Sequence, residues 1–221
     1  MNEIIAGGLA GFTQTIIGHP LDTVKILVIN RKKIELRNLY RGSLSPMTSS
    51  VFVNAQTFYS YNYFRQRNWN IFNSGFITGI AISFIECPSE LVKIRMQIGK
   101  SSYSQAMTEI GLRHLYHGIT ATCARNSIAL ALYFSTYEWC MKNMSFGTSY
   151  NSLIGGGLAG VICWTIPYPI DCIKTRIQSD VTYKAKINFN NLYRGFLPCI
   201  ARSFIVNPFI FLTYETVKKH F

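Results

Sequence analysis

Pro20-Leu21-Asp22-Thr23-Val24-Lys25 returns twice in this chain, as Pro88-Ser89-Glu90-Leu91-Val92-Lys93 and as Pro169-Ile170-Asp171-Cys172-Ile173-Lys174. All three read Pro-x-acid-x-x-Lys. Each copy ends an apolar run opened by glycines. Each is followed by a basic stretch and then by Leu-Tyr-x-Gly, at Leu39-Tyr40-Arg41-Gly42, Leu115-Tyr116-His117-Gly118 and Leu192-Tyr193-Arg194-Gly195. A period of about 75 residues means three copies of one supersecondary unit. The chain is therefore expected to be one domain, 1–221, built of repeats at about 1–70, 71–146 and 147–221.

Composition narrows the class. Hydrophobic residues make up 48% and charged residues only 14%, against roughly 25% charged in a soluble domain. The net charge is nevertheless +12. Few charges, mostly basic, fit a membrane protein with basic loops. A nucleic-acid binder also carries a basic excess, but on a soluble fold, and the apolar runs exclude it. Met1-Asn2-Glu3 leads into Ile4-Ile5 without a basic segment, so no cleaved leader is expected. The six cysteines and four histidines show no metal-ligand spacing, and no metal or cofactor is expected.

Six apolar stretches, at about 4–29, 46–65, 73–98, 119–141, 151–178 and 197–217, are each long enough to cross a bilayer, which takes about 20 residues. The fold class predicted is an all-α membrane protein, six transmembrane helices in three pseudo-symmetric helix pairs around a central cavity. A soluble six-helix bundle would show polar stripes, and none is evident. The odd stretches open with Gly7 and Gly11, Gly75 and Gly79, Gly156 and Gly160, a spacing that lets helices approach closely. Basic residues gather in the loop inside each repeat, so the three loops share one side. There they meet anionic headgroups. The three Tyr-x-Gly sites are expected to start helices, whose free N–H groups favour a phosphate. Tyr40, Gly42, Tyr116, Gly118, Tyr193 and Gly195 are the candidate lipid-binding residues.

The charged motif is costly inside a membrane unless its members pair and face the bundle interior. Acid and lysine stand three apart, on nearly one helix face. Proline kinks the helix, so three odd helices bent near Pro20, Pro88 and Pro169 can converge. The pairs expected are Asp22 with Lys93, Glu90 with Lys174 and Asp171 with Lys25, a ring that shuts a pore and can be opened. A static structural ring is the plainer alternative.

With these motifs the chain resembles the mitochondrial carrier family over its whole length. Repeats two and three match the signature through Lys93, Arg95 and Gln97 and through Lys174, Arg176 and Gln178, while repeat one has Leu27 and Ile29 at the last two places. The resemblance implies that the ring is a matrix-side gate braced by Gln97 and Gln178. It implies a cytoplasmic gate of aromatic-acid-x-x-basic motifs at Tyr61-Asn62 with Arg65, Tyr137-Glu138 without its base at Met141, and Tyr214-Glu215 with Lys218. Only Arg65 with Glu138 is left as an ion pair there, and the loops are short, so the matrix helices are expected to be truncated. A monomer in the mitochondrial inner membrane, multi-pass, with cardiolipin as a lipid partner, also follows from the resemblance.

Substrates of the family bind mid-membrane, at positions that here are Ser49, Arg125-Asn126 and Arg202. An unpaired arginine at that depth is expensive, so a ligand role for Arg125 and Arg202 is expected. Glu86 stands one turn from Glu90 and should point into the cavity, as a ligand or as a wall residue paired with His19 or another neighbour. Local motifs resemble those of ornithine and acylcarnitine carriers. The function expected is transport of a small charged metabolite by alternating access. Amino-acid or carnitine-like zwitterions rank first, small carboxylates second and nucleotides third. No nucleophile–base pair or phosphate loop speaks for an enzyme. A non-transporting scaffold on the same fold is the remaining alternative, against which all three gate acids are present.

Overall fold

The computed structural model describes residues 2–35, 39–99, 102–111, 114–143, 148–180, 191–202 and 205–206, without the side-chain surroundings of residues 2–14, 51, 109 and 148–154. Tyr214, Glu215 and Lys218 lie outside the described residues. All regular structure among those described is helical: α1 (Asn2–Ile29), α2 (Leu44–Gln66), α3 (Ile71–Gly99), α4 (Tyr103–Ile110), α5 (Ile119–Asn143), α6 (Thr148–Thr165) and α7 (Tyr168–Ser179). Residues 196–202 are helical as well.

By length and apolarity one described helix, α3, can cross a bilayer by itself, and α6 with α7 qualifies as a broken span bent by 56°. The other long helices are more polar. The reason is plain in α2, where serine, threonine, asparagine and glutamine recur along 23 residues. Ser49, Ser50, Asn54 and Thr57 turn into a central cavity, while Phe52, Phe58 and Tyr59 are exposed.

Proline acts differently in the three motif copies. Pro20 and Pro88 sit inside unbroken helices. The third run breaks after Thr165, and Pro167 is the N-cap of α7. The expected bend at Pro169 therefore falls two residues earlier. Pro167 and Pro169 together remove two N–H donors and restrict the residues before them, Ile166 and Tyr168, which ends one helix and starts the next.

Small residues set the helix spacing, with one change of register. A Cβ on Gly79 would overlap the Ser127 backbone of α5, and one on Gly75 would lie 2.8 Å from Ala131 Cα. In α6 the expected Gly156 faces open space. Gly155 meets Cys140 instead, with Ala159 fully buried one turn on. The four-residue stripe is present, shifted by one position. Gly7 and Gly11 have no described surroundings.

The loop after α3 keeps a helix where truncation was expected. Ser102 and Gln105 form a reciprocal capping box at the start of α4, and Gly111 ends it at φ +65°. Ile110, Met107 and Leu115 then pack on Leu91, Val92 and Met96 of α3.

Gly79→Ala should lower the thermal midpoint of the detergent-solubilised protein by the cost of overpacking, about 1–3 kcal/mol. Gly156→Ala should leave it unchanged. Equal effects of the two changes would refute the close α3–α5 contact.

Candidate functional site

The three motif copies meet at one end of the bundle. Lys93 Nζ donates to Asp22 Oδ2 at 2.8 Å, Lys174 pairs with Glu90, and Lys25 pairs with Asp171. The order is cyclic: the acid of the first copy takes the lysine of the second, the second takes that of the third, and the third takes that of the first. The lysines are deeply buried, with side chains 11%, 11% and 2% exposed for Lys25, Lys93 and Lys174. A buried ion pair is stable only with good geometry, and removing one partner costs about 3–5 kcal/mol. The pairs are therefore strongly constrained.

The Tyr-x-Gly turns follow the same cycle. Gly42, Gly118 and Gly195 have φ of +77°, +85° and +81°, a region that side chains other than glycine rarely adopt. Gly42 lies against the Lys93 carbonyl, Gly118 against Gln178, and Gly195 against the Lys25 carbonyl. The chain becomes helical at once after each turn, at Leu44, Ile119 and 196. Tyr40, Tyr116 and Tyr193 stand about half exposed beside them. Each turn is also tied to its own odd helix by the residue before the motif proline. His19 Nε2 bonds the Arg41 carbonyl at 3.0 Å, Cys87 Sγ approaches that of His117 at 3.8 Å, and Tyr168 Oη donates to that of Arg194 at 2.9 Å. Sequence reasoning missed this trio. Three unlike side chains fill one register position, and only that shared position could have signalled it.

Two arginines join the ring acids. Arg202 Nε reaches Asp22 Oδ1 at 2.8 Å, and Arg125 Nε reaches Asp171 Oδ1 at 3.4 Å. Both arginines were expected to lack partners. The protein supplies the counter-charge itself, because a ring carboxylate has a second oxygen free for a guanidinium. Arg125 also contacts the Asn126 amide oxygen and stands 3.9 Å from Glu86. Glu86 accepts from Asn126 Nδ2 at 2.6 Å, and Asn126 further donates to Ser83 Oγ. The alternative partner weighed for Glu86, His19, is engaged elsewhere.

The glutamines lie beside the ring but bond other groups. Gln97 Nε2 donates to Thr23 Oγ1 at 2.8 Å, and Gln178 Nε2 contacts Cys87 Sγ at 3.6 Å. Neither of these bonds reaches a ring carboxylate or lysine; each joins neighbouring helices. Thr23 in turn donates to the Leu39 carbonyl of the turn at 2.6 Å.

Above the ring is a cavity of about 480 Å³, within the range of sites for small molecules. Ser49, Glu86, Arg125, Asn126 and Arg202 all line it, together with the ring residues. Histidine aside, five cationic side chains face four carboxylates in its lining. Trp164 adds a face that sequence reasoning used only as a likeness. Lys25 Nζ is 5.0 Å and Arg125 Cζ 4.6 Å from its ring, so the indole sits between the two cations that share Asp171. Among the described residues, no group of His, Cys, Asp or Glu could hold a metal ion.

At the opposite end Tyr61 stacks on Phe134 with centroids 3.7 Å apart and donates to Glu138 at 3.1 Å. Arg65 lies 3.8 Å from Glu138, and Lys142 lies 3.6 Å from it. The two cations here are more exposed than the ring lysines, at 36% and 70% for Arg65 and Lys142. Lys142, one residue beyond Met141, was missed as a partner. Asn62 is exposed, and Tyr137 stacks on Tyr133.

Similarity to known proteins can be set beside this geometry. The family model described as "Mitochondrial carrier protein" matches residues 65–148 and 145–221. The mitochondrial arginine transporter BAC2 of Arabidopsis thaliana is 31% identical, covering 98% of this chain and 90% of its own. The glutamate/glycine mitochondrial carrier ymc1 of Schizosaccharomyces pombe is 28% identical over 99% and 94% of the two chains. The human mitochondrial carnitine/acylcarnitine carrier protein is 26% identical over 99% and 94%. The alignment with the Arabidopsis protein runs over 268 residues against 221 here, so that relative carries extra residues between shared segments. A family match over most of the chain, and 31% identity along 98% of it, place the protein among its relatives: the chain belongs to the mitochondrial carrier family.

Proposed function

We propose that this protein is a membrane transporter that moves a small charged metabolite across the mitochondrial inner membrane by alternating access, and that it is no enzyme. The observation that carries the reading is the complete three-pair ring, its lysines buried, at one end of a polar cavity. On this reading the chain is a single domain of three repeats. Its six transmembrane helices are α1, α2, α3, α5, the broken α6–α7 and a last one opening at 196. Exposed Phe52, Phe58, Phe72, Phe76, Phe84, Trp139 and Leu197 then face lipid. The three turns at Tyr40, Tyr116 and Tyr193, each with a helix N-terminus behind it, take anionic lipid such as cardiolipin. The protein works as a monomer.

The ring is the matrix-side gate, and the Arg65–Glu138 contact is what remains of the cytoplasmic one. Ser49, Glu86, Arg125, Asn126 and Arg202 bind the substrate. An amino-acid- or carnitine-like zwitterion ranks first, ahead of a small carboxylate. Carriers for arginine, for glutamate and glycine and for carnitine among the relatives support that order. The substrate's anionic group competes with Asp171 and Asp22 for Arg125 and Arg202. Planar guanidiniums suit bidentate carboxylate pairing.

Reversal of one gate charge tests the mechanism. Lys174→Glu should cut exchange of any transported solute in liposomes at least about tenfold, since it sets a second carboxylate against Glu90 and forfeits a buried pair. Adding Glu90→Lys should restore a substantial part of the rate. A double variant no better than the single one would sink the gate assignment.

The two ends can be set against each other. Among the described residues, three ring pairs with buried lysines against one more exposed interhelical pair favour the cytoplasm-open state, because only differential stabilisation moves such an equilibrium. Asn62→Asp combined with Met141→Lys restores the missing partners. Cysteine-accessibility labelling from the two sides should then shift toward the matrix-open state. No shift would mean that the upper contact is not a gate.

A further inference from the structure

We propose that the corner of the cavity formed by Ser49, Glu86 and Glu90 holds a cationic group of the substrate, an ammonium or guanidinium, so that the carried metabolite is a cation or zwitterion rather than a plain carboxylate. The proposal rests on the carrier reading above and names the substrate class of the same cavity.

The observation is a broken symmetry of charge. Arg125 and Arg202 each stand seven residues after a turn glycine, Gly118 and Gly195. Each reaches the ring acid of the next motif copy, Arg125 that of the third and Arg202 that of the first. The register position seven residues after Gly42 is Ser49, and the acid it corresponds to is Glu90. A hydroxyl stands where the other two positions have a guanidinium. Among the described residues, Asp22 therefore has Lys93 and Arg202, Asp171 has Lys25 and Arg125, and Glu90 has the one ion pair to Lys174.

The same corner also gains a negative charge that the others lack. Glu86 precedes the motif proline by two residues, where the other copies have Gly18 and Pro167. It lies one helical turn, about 5.4 Å, from Glu90 on the same face of α3. Asn126 holds its carboxylate at 2.6 Å, and Arg125 lies 3.9 Å away, nearer to Asp171 than to Glu86. Ser49 is level with Glu86, a turn from Glu90. Ser45 Oγ donates to the Ser89 carbonyl at 2.7 Å, and α2 and α3 are antiparallel across a short connection. One turn up α2 from Ser45 therefore corresponds to one turn back along α3 from Ser89.

The Asp22 corner thus carries two cations for one carboxylate, whereas Glu86 and Glu90 have one lysine of their own and a share of Arg125, which lies nearer to Asp171. Between low-dielectric helix walls such an imbalance is a local preference for a positive charge. A substrate ammonium placed there completes the pattern as the third cation. Its carboxylate, an amino acid's length away, faces Arg125 and Arg202. The cavity of about 480 Å³ accommodates a molecule of that size.

The test uses the full-length protein in liposomes, with radiolabelled L-arginine and L-carnitine as amine-bearing probes and succinate as the carboxylate probe, plus thermal unfolding in detergent. The wild type is expected to take up an amine probe in preference to succinate. Glu86→Gln should lower the amine-to-succinate ratio of kcat/KM at least about tenfold, the scale of losing one charge-assisted bond. Ser49→Arg supplies the missing cation from within. It should raise the unfolding midpoint of the ligand-free protein and abolish stabilisation by amine probes. Uptake of succinate with no response to amine probes, or a Glu86→Gln protein with an unchanged ratio, would overturn the subsite and leave the carrier reading in place. A wild type that transports none of a broader panel of amino acids, carboxylates and nucleotides would overturn the carrier reading and this proposal with it.

Discussion

Pairing of charge across helices is the constraint from which the rest of the architecture follows. Asp22 and Lys25 lie on one face of α1, and so do Glu90 and Lys93 on α3 and Asp171 and Lys174 on α7. Within a helix the two groups could approach one another. Each instead bonds the neighbouring helix, in one rotational sense. Such a ring fixes the depth of each helix, its rotation and the order of the three around the axis. The glycine turns obey the same order from outside the ring, with Gly42 against Lys93 and Gly195 against Lys25 at the carbonyls of the ring lysines themselves. A side chain at either glycine would push the backbone that carries a ring lysine. Positive φ and close approach therefore demand glycine for two separate reasons at those positions.

Much of this was legible because the repeat displays each position three times. Helical content, the acids and lysines that face one another and the turn glycines all follow from comparing copies. What stayed hidden depends on distances between helices or on departures from the repeat. Arg202 seemed unpaired because an extended reading of helix positions does not tell how near Asp22 it comes. The bend of the third odd helix fell at Pro167, because a second proline unique to that copy took over from Pro169. The small-residue stripe of α6 lay one position away, at Gly155 and Ala159, since three adjacent glycines leave the register open. The capping box of α4 is written in Ser102 and Gln105, a local signal that holds a helix within a shortened loop.

The side chains one place before the motif prolines show how a repeat tolerates divergence. Histidine, cysteine and tyrosine have little in common chemically, yet each directs a ring nitrogen, a thiol or a phenol at the same carbonyl of its own turn. What is held constant is a tie between odd helix and turn, not the residue type. Gln97 and Gln178 behave similarly, joining adjacent helices through Thr23 and Cys87. In repeat one, where Ile29 stands in the glutamine's place, an apolar contact with Gly195 and a cluster with Tyr168, Cys172 and Cys199 fill the gap.

With the ring proposed as a gate, its coupling to the cavity needs no separate relay. The carboxylates of Asp22 and Asp171 are shared, one oxygen toward a ring lysine and another toward a cavity arginine. An anionic group that draws Arg125 and Arg202 into the cavity leaves each ring acid with one cation rather than two. A cationic group beside Glu86 and Glu90 competes with Lys174 for the remaining acid. All three ring pairs are therefore weakened by one molecule only if it carries both charges at the right separation, whereas a bare anion reaches two of the three. On this reading selectivity lies less in how tightly the cavity holds its substrate than in how many of the ring's bonds that substrate can replace, and opening requires a ligand with a differential affinity for the state in which those bonds are exchanged.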